Sequence, residues 1–180
     1  MKRYLVIFLL LAVISIAQAA SPQSAPASSS LFVKEFLADL DATQDKYLSL
    51  AKAVPEEKYS WRPGEGVRSI SEVYMHIAEA NFELAKFAGV QPPANLPKEM
   101  EKITNKQEIL DWMQKSFDHI RKNIGSMSDA DLAKGTKLFG KDRTNLAVWL
   151  LIINHMHEHL GQSIAYARTN NVVPPWSQQN

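Results

Sequence analysis

Five histidines and no cysteine set the chemistry open to this chain of 180 residues. Disulfides, cysteine nucleophiles and thiolate metal sites are all excluded, so a metal would have to be held by imidazole and carboxylate. Two of the histidines, His155 and His159, stand four residues apart in a strongly periodic segment. On a helix that spacing puts both rings on one face, about 6 Å apart at Cβ, which suits two nitrogen ligands on one divalent ion. It suits two hydrogen-bonded core histidines equally well, and the pair alone does not choose between them. His157 falls about 160–200° around the same helix and reads as a second-face histidine. A third ligand has two further candidates. His76 lies beside Val73, Ile77 and Ala80 at the edge of an apolar stripe, whereas His119 sits among Asp118, Arg121 and Lys122 in a stretch that reads as solvated. Three neutral imidazoles would leave an open position for water or substrate.

The helix bearing the pair has an unusual composition. Val148, Ile152, His155, His159, Gln162 and Tyr166 follow one another at steps of three and four. A second line, Trp149, Ile153, Met156, Leu160, Ile164 and Ala167, runs beside the first. Such a helix is apolar around much of its circumference and belongs deep in a bundle or at a subunit contact. Two histidines and a glutamine on its buried side would each cost on the order of 1–3 kcal/mol without partners, so something must compensate them. His155-Met-His-Glu158-His159 also matches the H-x-x-E-H pattern of inverted zinc proteases. The 21 residues after His159 contain neither Asp nor Glu to complete such a site. Glu158 itself points about 60–100° off the ligand line and reads as solvent-facing.

Four long helices are expected to position these groups. Ser30 caps the first, which runs to about Val54; Gln44 interrupts its apolar line, as a buried structural amide or as the lining of a polar pocket. Ser69 with Glu72 forms a capping box that opens a second helix to about Ala88. A long connection through Pro92, Pro93 and Pro97 leads to a third helix, opened by Thr104 with Gln107 and running to about Ile124. A short helix over 128–134 follows, and Thr144 caps the last long helix, which ends near Thr169 before Pro174 and Pro175. No segment reads as a credible strand. The pattern predicts an all-α, four-helix bundle.

Composition agrees with a folded domain: 46% of residues are apolar and 22% charged. Lys2 and Arg3, the apolar run from Tyr4 to Ile16 and Ala17-Gln18-Ala19 form a secretory leader over 1–19. Residues 20–30, rich in Ser, Pro and Ala, read as a disordered tether, and 31–177 as the domain. Cleavage after Ala19 changes the formal charge from +1 to −1. The expected product is exported, periplasmic or extracellular, with no stable membrane anchor and no basic surface for nucleic acid.

Several motifs, taken in order, resemble the DinB-like/YfiT-like superfamily and in particular an exported branch of it. They are Pro55-Glu-Glu-Lys-Tyr-Ser-Trp61-Arg-Pro63, Val67-Arg68-Ser-Ile-Ser-Glu72 with His76 beyond it, His155-Met-His-Glu-His159-Leu-Gly161-Gln162, and the closing Val172-Val-Pro174-Pro175-Trp176-Ser. The likeness spans Leu31 to Ser177. It implies a four-helix bundle with a long crossover, often a homodimer, holding a divalent metal through His76, His155 and His159. Zinc and nickel are the ions it implies first, iron less so. Some relatives use low-molecular-weight thiols such as mycothiol, bacillithiol or glutathione. A metal-dependent transferase acting on a small-molecule substrate is therefore one expectation, and metal-assisted hydrolysis a second. A non-catalytic metal-binding scaffold dimer is the alternative.

Overall fold

A computed structural model describes residues 30–177, and the leader over 1–19 with nearly all of the tether lies outside the described residues. Helix α1 (Leu31–Ala53) starts where the Ser30 carbonyl accepts the Lys34 N–H at 3.0 Å. Helix α2 (Ile70–Ala85) opens on the expected capping box, with Ser69 and Glu72 satisfying each other's backbone N–H groups. It tightens into a 3-10 turn over 86–88 and ends at Gly89, whose φ of 81° favours glycine. Helix α3 (Lys106–Gly125) begins one residue later than the Thr104 cap expected. Asn105 is the cap, its side chain accepting the Glu108 N–H at 2.9 Å. Asn105 and Glu108 repeat the spacing of Thr104 and Gln107, and Asn is the stronger N-cap. Short α4 (Asp129–Ala133) and long α5 (Asn145–Thr169), capped by Thr144, follow as read.

The expectation of no strand is corrected by a hairpin of β1 (Gly135–Leu138) and β2 (Lys141–Thr144), paired antiparallel from Gly135↔Thr144 to Leu138↔Lys141. Its strands are four residues long and mostly exposed, so no buried alternation betrays them in the sequence. The two-residue turn has φ of 48° at Phe139 and 77° at Gly140. Positive φ at both central positions is the type I′ arrangement that matches strand twist. The Thr136 hydroxyl donates to the Phe87 carbonyl and fastens the hairpin to the end of α2.

The core lies between the long helices. α2 packs on α3 and α5, and α1 packs on the same two helices. Trp149 is fully buried, meeting Phe36 edge-on at 5.9 Å and donating its indole N–H to Met127 Sδ. The Tyr47 hydroxyl donates to the Met156 carbonyl at 2.6 Å and ties α1 to α5. Buried Asn81 donates to Ser116 Oγ across the α2–α3 contact. Half-buried Gln44 accepts from Arg121 at 2.7 Å and donates to Gln114, so its amide bridges α1 to α3. Among the described residues no helix is long and apolar enough to cross a membrane.

Candidate metal centre

The two lines read along α5 form adjacent stripes that are buried over most of their length. Val148, Ile152, Trp149 and Met156 are fully covered, whereas His155, His159 and Gln162 are half-buried toward α2. The capping box fixes where α2 starts and hence the height of His76, which faces the same point from across the helix contact. His155 Nε2 lies 3.2 Å from His76 Nε2 and 3.1 Å from His159 Nε2. One nitrogen from each of the three rings falls within 4.8 Å of the others, a group that could hold a metal ion.

The partners of the opposite ring nitrogens assign the tautomers. His76 Nδ1 is 3.0 Å from a Glu101 carboxylate oxygen, which can only accept, so this nitrogen carries the proton. Gln162 donates its amide N–H to the Tyr166 hydroxyl at 2.9 Å. Its carbonyl oxygen therefore faces His159 Nδ1, at 2.7 Å, and accepts from it. Both Nε2 atoms are thus lone pairs turned toward His155. A single proton on His155 Nε2 can serve only one of them, while His155 Nδ1 is buried without a partner. Three imidazoles arranged this way could hold a cation between them. Carboxylate and amide acceptors behind metal-binding histidines fix ring orientation in the same manner.

Glu101 had no signal in the sequence. It follows fully buried Met100, which packs the 3-10 turn over 100–102 against α2 and so delivers the next side chain to His76. Arg68 holds the other Glu101 oxygen at 2.9 Å. Gln162 was visible as a polar residue on a buried line, and Tyr166 beyond it meets Trp61 edge-on at 5.3 Å.

The remaining candidates stand apart from the cluster. His157 lies on the far side of α5, where its ring reaches both oxygens of Asp39 at 3.1 Å. His119 is not solvated as its neighbours suggested: its ring is half-buried against Phe82, with centroids 5.1 Å apart. Glu158 is exposed, as its helical angle implied.

Beside the histidines opens a cavity of about 560 Å³, lined by His76 and His155, by Glu79, Glu83 and Glu101, by Arg68, and by Ala80, Leu84, Leu151 and Phe139. Burial, then the neighbouring Glu101 and Glu83 carboxylates, pushes the Glu79 carboxyl up from its usual range.

Burial is also the main reason why His76 and His155 resist protonation. It lowers both, with Arg68 and the neighbouring imidazoles adding to the effect, and His155 falls to about 4. Unfolded histidine titrates near 6.5, so below that pH the unfolded chain takes up more protons and stability falls as the pH drops toward 4. Thermal melts of metal-free protein should show this decline from pH 7 to 4.5, and His155→Ala should flatten part of it. A melting temperature equally pH-dependent in the variant would contradict the assignment.

The comparisons with known proteins agree with this architecture. A family model described as the DinB superfamily matches residues 39–163. Among solved structures, a DinB-like protein from Bacillus cereus superposes with a TM-score of 0.68 at 20% identity, over 80% of this chain and 93% of its own. A DinB-like protein from Bacillus subtilis gives 0.59 at 19% identity, over 79% and 92%. A conserved protein from Enterococcus faecalis gives 0.60 at 12% identity, over 76% and 95%. A search of curated proteins found no match. At these identities the structural likeness speaks for the fold, and the family model covers more than half of the sequence. The chain belongs to the DinB superfamily.

Proposed function

We propose that this protein is an exported metal-dependent enzyme, a transferase or hydrolase of small molecules, built on a four-helix bundle with a long crossover. The mutual packing of α1, α2, α3 and α5 and the twenty-residue connection over 86–105 support that bundle description. The observation that carries the functional reading is the convergence of three Nε2 atoms, two of them with Nδ1 already committed to acceptors. His76, His155 and His159 would hold a divalent ion through imidazole nitrogens, donors that suit zinc, nickel and iron alike, and the family resemblance puts zinc or nickel before iron. When bound, such an ion supplies Lewis acidity that lowers the pKa of a thiol or a water.

The chain's own residues do the rest. Glu101 keeps the proton of His76 on Nδ1, Gln162 does the same for His159, and both leave Nε2 free for ligation. Arg68 neutralises part of the Glu101 charge and holds the carboxylate in place. The cavity beside His76 and His155 offers a substrate a place next to the centre, which favours an enzyme over a scaffold. The basic, apolar and small-residue order of residues 1–19 supports export. Exposed Leu31 and Leu150, with Phe32 and Ile153 in the groove between α1 and α5, support a homodimer through that face.

The test is a panel of thiol-transfer and ester-hydrolysis assays on zinc- and nickel-loaded protein. We expect turnover in the loaded form that stripping the ion abolishes and reloading restores. A loaded protein silent throughout the panel would favour the non-catalytic scaffold.

A further inference from the structure

Phe139 is in the wrong place for a phenylalanine. Its φ of 48° is a left-handed conformation that Gly and Asn adopt readily and bulky residues rarely do. The hairpin's own requirement at this position, followed by Gly140, is best met by asparagine. Burial does not account for the ring either, since the residue is 66% exposed, with its ring centroid 5.0 Å from that of Phe87. What the ring does face is the cavity that contains His76 and His155. Leu84 and Leu151 line the same space and supply further apolar wall, while its carboxylates Glu79, Glu83 and Glu101 outnumber its one cation, Arg68.

We infer that Phe139 is a specificity-determining residue, the apolar wall of a site that takes a small organic molecule with an uncharged aromatic or aliphatic body. The body packs against Phe139, Leu84 and Leu151, and the polar end points at the histidines. A cavity of about 560 Å³ is ample for such a ligand. The excess of carboxylates disfavours a body that carries negative charge. The hairpin accepts an unfavourable backbone at its tip to present the ring, a pattern found where strain serves a site. The inference deepens the metal reading, on which only the placement of the ligand's polar end depends.

The two readings separate experimentally through Phe139→Asn, which gives the turn its preferred residue. Binding of phenylacetohydroxamic acid and of acetohydroxamic acid, two probes with the same metal-binding head, is measured by NMR titration on the zinc-loaded full chain. Wild type should bind the phenyl probe at least tenfold more tightly. In F139N that preference should fall below about threefold, the size expected for losing one apolar wall, with zinc stoichiometry intact and melting temperature unchanged or raised. An undiminished preference in F139N overturns the proposal. So does a melting temperature lowered by several degrees together with an intact preference, which would make the ring structural. If the chain takes up no zinc, the metal reading fails by itself, and the cavity is probed with 2-phenylethanol instead. Its contacts to the Leu84 and Leu151 methyl groups should weaken in F139N, and contacts of equal strength in both proteins overturn the proposal.

Discussion

Replacing His76, His155 or His159 with alanine should each weaken divalent-metal binding on the order of 100-fold or more, because every one of the three supplies an Nε2 to the same point. His119→Ala and His157→Ala should leave stoichiometry and affinity unchanged. His119 is packed on Phe82, and His157 is engaged by Asp39 on the other side of α5. Competition titrations against a chromogenic chelator give the affinities directly. Equal losses for the three ligand variants identify one centre. If His76→Ala keeps full affinity while the helical pair does not, the third ligand lies elsewhere. The metal-free variants should still fold, since the hydrophobic core is independent of the site.

Trp149→Ala should be the most damaging change away from the centre, lowering stability by about 3–5 kcal/mol. The ring is fully buried between α5 and α1, and its removal also takes away the edge-on contact with Phe36 and the hydrogen bond to Met127. Glu158→Ala on the same helix, exposed and without an ion pair among the described residues, should stay within about 0.5 kcal/mol of wild type. Urea unfolding followed by circular dichroism separates the two. A Trp149 variant as stable as the Glu158 variant would mean that α5 does not form the centre of the core.

These two sets of residues also show what could be read before the fold was known. Helix α5 was legible because its apolar residues repeat at three- and four-residue steps over 25 residues, so a polar insertion on that line stands out. The capping box at Ser69 and Glu72 placed α2, and with it His76, for the same reason: the signal is local. Glu101 and Phe139 were illegible because their roles are tertiary. Glu101 reaches His76 through a connection whose path depends on burying Met100 against α2. Phe139 reaches the cavity from a hairpin whose strands bury almost nothing and whose turn lacks the usual Asn-Gly. The α3 cap slipped by one residue for a different cause, two overlapping signals of equal spacing, of which asparagine is the stronger.

The central claim, one ion held by three imidazoles, is met most directly by X-ray absorption on full-chain protein reconstituted with zinc and freed of excess metal. One zinc per chain should be retained, with three histidine nitrogens at about 2.0–2.1 Å and the characteristic imidazole outer-shell scattering. Retention of less than a tenth of an ion per chain, or a first shell dominated by oxygen, would contradict it.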